Sequence, residues 1–146
     1  MWDLDKRECI QLFKGHLLGI RCLKMLPNNL FCSGSWDKNI KIFCLQTGSC
    51  VKTLKGHDSW ISHFELTPNN YLISSSGDET IRVHNDRFEC VQVLRGHTNY
   101  INFLKLNKHG QLLSAGKDRT IKLWNVDSGD CLKTIQTGFS MCMIDF

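Results

Sequence analysis

Along the chain the apolar residues occur in short runs or alternate with polar ones, and Gly, Asn, Asp and Ser interrupt them every few positions. This is the signature of strands and tight turns, and helical spacing is nowhere sustained. The clearest stretch predicts strands over 61–66, 71–75, 80–84 and 90–94, joined by turns at Pro68-Asn69-Asn70, Gly77-Asp78 and Asn85-Asp86. Four antiparallel strands of this kind make a twisted sheet with two largely apolar faces. A single sheet cannot bury both, so such sheets must stack face to face.

The same layout recurs. Cys9, Cys50, Cys90 and Cys131 begin the segments CIQLFKGHLLGI, CVKTLKGHDSWI, CVQVLRGHTNYI and a degraded CLKTIQTGFSMC, at intervals of 41, 40 and 41 residues. In step with them run SGSWDKNIKIF (33–43), SSSGDETIRVH (74–84) and SAGKDRTIKLW (114–124). A period near 40 marks a repeat architecture. The expected units are 15–55, 56–95 and 96–136, with 1–14 holding the last two strands of a preceding unit and 137–146 the first strand of a further one. Closed rings of such sheets use ~4–8 units, so an arc this short leaves apolar end faces uncovered. The missing units are expected from the rest of a longer chain or from self-association.

The Gly-His pairs at 15/16, 56/57 and 96/97, the turn residues Asp37, Asp78 and Asp118, and Trp2-Asp3 and Lys122-Leu123-Trp124-Asn125 at strand ends resemble the WD-repeat family. The resemblance spans essentially the whole chain. It implies an all-β fold, a partial WD-repeat β-propeller with about three complete four-stranded blades and part-blades at both ends. It also implies a polar chain in each blade, in which the turn Asp accepts from His, His meets a strand Ser, and Ser meets a Trp N–H. The corresponding sets are His16, Ser33 and Asp37; His57, Ser74 and Asp78; and His97, Ser114 and Asp118 with Trp124. Phe43 and His84 replace the Trp in the first two units. Phe43 cannot donate, and His84 could donate only from a different position.

Each His, Ser and Asp set also has the composition of a hydrolytic triad. Three recurrences with no nucleophile elbow such as Gly-x-Ser-x-Gly argue instead for a structural role, and no enzyme activity is expected. Eight cysteines raise the question of disulfides or metal. The four repeated ones fall one per unit, about a blade spacing of ~10 Å apart, too far for thiolate–zinc bonds of ~2.3 Å. They read as half-buried strand residues, and no cofactor is implied. A net charge of +4 with scattered Lys and Arg offers no nucleic-acid arm. The longest apolar runs fall short of a membrane span, and the N-terminus lacks a secretory pattern, so the expectation is a cytoplasmic or nuclear protein.

In WD propellers the rim beside the Gly-His and Asp turns is a common binding face. The resemblance maps it to Gly19, Arg21 and Trp36; Trp60, Ser62 and Gly77; and Tyr100, Asn102 and Lys117. Arg21, Trp36, Trp60, Tyr100, Asn102 and Lys117 are the expected partner-binding residues, with the aromatic and cationic character of binding hot spots. No repeat rule accounts for them, since Trp36 corresponds to Gly77 and Lys117. Gly19-Ile20-Arg21-Cys22-Leu23 followed by Ser33-Gly34-Ser35 also resembles the WD portion of F-box substrate receptors of ubiquitin ligases, where arginines grip phosphorylated peptides. Arg21 matches that pattern and Lys117 matches it in part, while Trp36, Ser62, Gly77 and Asn102 do not. The expected function is a protein-interaction scaffold binding protein or peptide partners of acidic or phosphorylated character. A ubiquitin-ligase recognition module and a nucleic-acid-binding propeller are the alternatives.

Overall fold

A computed structural model describes residues 1–139, and no helix occurs among them. The strands are β1 (Trp2–Asp3) and β2 (Glu8–Cys9); β3 (Ile20–Leu26), β4 (Leu30–Ser35), β5 (Ile40–Cys44) and β6 (Cys50–Leu54); β7 (Ile61–Leu66), β8 (Leu72–Ser76), β9 (Ile81–His84) and β10 (Cys90–Leu94); and β11 (Ile101–Leu106), β12 (Leu112–Gly116), β13 (Thr120–Trp124) and β14 (Cys131–Gln136). They pair in sequence order into one two-stranded and three four-stranded antiparallel sheets. In the middle sheet the turn residues end the strands within one position of the sequence expectation. The fifteenth strand, expected within 137–146, falls mostly outside the described residues.

Both faces of the middle sheet are buried, as its apolar pattern demands. Leu26, Cys32, Ile40, Ile42 and Leu54 of the first sheet close over Ile61, Phe64 and Leu72. Ile73, Ile81, Val83 and Leu94 then close over Ile101, Leu104, Leu112 and Trp124 of the third. Close approach at the first junction requires Gly34, where a Cβ would lie 2.6 Å from Ile61 Cγ2. Repeat-equivalent positions show what the stacking achieves. Phe64 and Leu104 are 2% and 0% exposed, whereas Leu23, their counterpart in the first sheet, is 63% exposed. Only the outer part of that first face is covered, where Phe13 packs edge-on against Phe31 and Phe43.

Cys9, Cys50, Cys90 and Cys131 are exposed, which corrects the expectation of half-buried thiols. The reason is local. In the three complete sheets the ladder to the outermost strand slips beside Cys50, Cys90 and Cys131. There Sγ turns towards the carbonyl two residues on, at 3.4, 3.6 and 3.6 Å, and Cys9 makes the same contact at 3.8 Å in a ladder without a slip. Half-buried Cys22 in β3 and buried Cys32 in β4 do face inward, where burial raises Cys22 to about 12 and holds Cys32 protonated.

Candidate interaction surface and its supporting network

The loops that carry the rim are tied down by the His, Asp and Ser sets. In the third sheet His97 Nδ1 lies 2.7 Å from Asp118 Oδ2, His97 Nε2 lies 2.7 Å from Ser114 Oγ, and Trp124 Nε1 donates to Ser114 Oγ at 2.8 Å. Burial holds the His97 pKa below its ordinary value against the pull of Asp118, so the ring is neutral. One proton arrangement then serves every atom. Trp124 N–H and Ser114 O–H each donate one step along, and His97 Nδ1–H ends the chain on the Asp118 carboxylate. Asp118 also accepts from Thr98 N–H, Thr120 N–H and Thr120 Oγ1 at 3.1, 3.0 and 2.8 Å.

The other two sets repeat this geometry. His16 and His57 lie 2.8 Å from Asp37 and Asp78, and 2.7 and 2.9 Å from Ser33 and Ser74. Burial alone would raise the three carboxyls. Donors outweigh it and lower all of them, Asp37 to about 2 through Leu17 N–H, His16 and Asn39 N–H. The turn after each Asp places Lys38, Glu79 and Arg119 in the left-handed region, at φ 69°, 69° and 62°. Phe43 ends its chain at Ser33, as expected. His84 supplies no substitute donor from Nδ1, which is buried without a partner.

Above this frame lies the rim. Arg21, Ser62 and Asn102 occupy the register slips at the start of β3, β7 and β11, between Ile20 and Cys22, Ile61 and His63, and Ile101 and Phe103. A bulge re-aims its side chain, which is why these residues escape the alternation of their strands. In each sheet one backbone bond then fixes a facing pair: Trp36 N–H to Gly19 O, Gly77 N–H to Trp60 O, and Lys117 N–H to Tyr100 O, at 3.0, 2.9 and 2.9 Å. The small partner has a steric reason at Gly77, whereas Gly19 leaves ordinary contact distance to Trp36. A Cβ on Gly77 would lie 2.6 Å from Trp60 Nε1, and one on Gly19 would lie 3.4 Å from Trp36.

The result is a continuous aromatic strip across three sheets. Ring centroids are 5.1 Å apart for Trp36 and Trp60 and 5.4 Å for Trp60 and Tyr100. The Arg21 guanidinium lies over both indoles, 5.2 Å from Trp36 and 4.4 Å from Trp60, a cation–π contact of the kind that pre-orders a guanidinium. Arg21, Trp36 and Lys117 are exposed, and Trp60, Tyr100 and Asn102 are half-buried. Ser62 departs from the rim mapping. It is buried and bonded to Ser75 Oγ at 2.9 Å, because a small hydroxyl at the bulge can turn inward to the next strand. Sequence reasoning missed the hollow beyond Tyr100 lined by Asn99, Lys117, Arg119 and Phe139. Its signal was faint, since Phe139 belongs to the degraded fourth copy.

Stacked four-stranded sheets, each locked by one such polar set, define a segment of a β-propeller. The pattern of the WD domain, G-beta repeat family matches residues 7–44, 48–85 and 88–125, and the chain belongs to that family. The chain is also similar to the crystal structure of the WD40 beta propeller domain of Doa1, with 25% identity and a TM-score of 0.78 over 85% of this chain. It spans 43% of that chain's length. No curated protein matches it. The repeat boundaries are informative: 48–85 runs from just before β6 through β9, so each repeat joins the outer strand of one sheet to the inner three of the next. Consecutive sheets are thereby interlocked. Propellers of this family are in general non-catalytic scaffolds for binding other proteins.

Proposed function

We propose that this chain is a protein-interaction scaffold whose main partner surface is the strip formed by Arg21, Trp36, Trp60, Tyr100 and Lys117. The observation that carries the reading is the strip itself. Residues at positions the repeat does not constrain converge, over three sheets, into a run of tilted, touching aromatic rings with a guanidinium seated on two of them. Aromatic area supplies affinity when a partner covers it. The side-chain polar groups of these five residues are donors, apart from the Tyr100 hydroxyl, which both donates and accepts. Arg21 and Lys117 therefore favour an acidic or phosphorylated peptide, with Arg21 the better bidentate clamp.

The test begins with the immobilised chain and identification of the proteins it retains. Trp60→Ala is expected to weaken binding of the identified partner by about thirtyfold, ~2 kcal/mol, with the fold intact. Equal affinity of parent, Trp60→Ala and Trp36→Ala would place the surface elsewhere. Replacing acidic residues of the bound segment should mimic the loss. An affinity falling linearly with log salt at a slope set by many phosphates would favour nucleic acid instead.

A further inference from the structure

In the middle sheet the polar chain is one member short, and cations fill the gap. His84 stands where the third sheet has Trp124, is 2% exposed, and leaves Nδ1 without a partner. Arg82 covers Gly56, the glycine whose counterpart in the third sheet lies against the Trp124 ring. Its guanidinium donates to Gly56 O at 2.7 Å and lies 2.8 Å from a Cβ on Gly56, much as the Trp124 ring tip lies 3.3 Å from one on Gly96. Arg82 Nε is buried and unpartnered as well. Among the described residues this sheet thus encloses three unsatisfied polar atoms, on His63, Arg82 and His84, the last two being neighbours on β9, which native interiors rarely tolerate without a reason.

Around His84 only the Leu72 backbone favours a proton on the ring, and burial and the neighbouring cations outweigh it. Arg82 on its own strand, His57 from the loop before β7, and Lys52 on β6 of the neighbouring sheet act on it, and each is positive when protonated. Asp78, the acid of this sheet, is committed to His57, Asp58 N–H and Thr80. Opposite His84 on β10 lies Cys90, whose thiol turns to Gln92 O, and opposite it on β8 lies Leu72, which contributes only its backbone.

We infer that His84 makes the middle sheet acid-sensitive: proton uptake at this buried imidazole opens β8 to β10 and loosens the contact of Trp60 with Gly77 at the rim above. The consequence for partner binding rests on the rim being the binding surface, whereas the opening of the sheet does not. The direction follows from linkage. Burial, then His57, depresses His84 to about 4 from an ordinary 6.5, so its neutral form is the one the folded sheet accommodates. Its contribution is complete above 6.5 and is lost as the pH falls towards 4. Between pH 7 and pH 5 these values give an increase of about twentyfold in opening.

The chain itself supplies the controls, since Phe43 and Trp124 occupy the same position in the other two sheets. Hydrogen exchange of the β8, β9 and β10 amides, corrected for intrinsic rates, would be followed from pH 7 to pH 5 in the parent, His84→Phe and His84→Trp. The parent should lose about twentyfold in protection there and less in β12 and β13. Both variants should lose most of that dependence, retaining only the part due to His63 in β7, whose Nδ1 is also buried and unpartnered. Undiminished pH dependence in either variant overturns the proposal, so failure of His84→Trp to fold leaves His84→Phe as the test. Titration of the His84 ring proton near 6.5 in the folded parent would overturn it too. Acid-induced opening without change in partner affinity would keep the opening of the sheet and overturn its coupling to the rim, whose role in binding the Trp60 and Trp36 variants test separately.

Discussion

Replacing His97 by Ala removes the centre of the third sheet's polar chain, and the structure limits what that can cost. Asp118 is not left unpaired, because Thr98 N–H, Thr120 N–H and Thr120 Oγ1 still donate to it. Ser114 fares worse. It is fully buried, keeps the Trp124 N–H on its oxygen, and loses the acceptor for its own proton. A hydrogen bond to a charged group is worth ~1.5–3 kcal/mol net, and an orphaned buried hydroxyl costs ~1–3 kcal/mol, from which any water entering the imidazole's space must be subtracted. A loss of about 2–4 kcal/mol is therefore expected.

His16→Ala provides the comparison. Ser33 has no indole above it, and the site borders the open apolar hollow lined by Phe13, His16, Phe31, Ser33 and Phe43, from which water is expected to enter once the imidazole is removed. About 1 kcal/mol is expected there, near the low end for a hydrogen bond whose partners can be rehydrated. Urea unfolding at pH 7, followed by tryptophan fluorescence and by amide exchange in β12 and β4 respectively, measures both. Equal losses, or a larger one for His16→Ala, would refute the idea that the indole and the burial it brings set the strength of each polar chain.

Three further outcomes are expected. Phe43→Trp should stabilise the first sheet by about 0.5–1.5 kcal/mol, because the hollow beside Phe43 has room for an indole and Ser33 Oγ is the acceptor Ser114 provides to Trp124; unchanged urea unfolding would show that the ring is not held in register. Gly77→Ala should displace Trp60 from its seat, seen as a red-shifted Trp60 emission in a variant otherwise lacking tryptophan fluorescence changes, and an unshifted spectrum would count against the close packing. Asp37 has a folded pKa of about 2 against an ordinary 3.8, so its stabilisation is complete above 3.8 and is lost as the pH falls towards 2. Asp37→Asn should flatten acid unfolding across that window, and an unchanged acid profile would reject the assignment.

The repeat made much of this legible in advance. Strand order, turn positions and the polar chains follow from residues that recur at fixed offsets, such as Gly-His and the turn Asp, so each unit corroborates the others. The misreadings occur where a single residue breaks the pattern. The repeated cysteines looked like alternating strand residues, but at Cys50, Cys90 and Cys131 an outer-strand bulge, invisible to a period of two, breaks the alternation. Ser62 shares its bulge with Arg21 and Asn102, yet a short hydroxyl finds Ser75 where a guanidinium must reach out. The seat of Arg21 on two indoles could not be read from spacing either, because it joins side chains of two sheets whose separation depends on stacking, not on chain distance.

That distinction bears on where function can change without loss of fold. At 19 and 36, 60 and 77, and 100 and 117 one backbone bond is common to all three sheets, while the side chains are Gly with Trp, Trp with Gly, and Tyr with Lys. The frame requires only that the two members of a pair not both be large where they overlap, as Trp60 over Gly77 shows. Chemistry at these positions is therefore nearly independent of the hydrogen bonds beneath it. His84 differs because it lies within the frame, where the identity of the side chain decides whether buried polar atoms find partners.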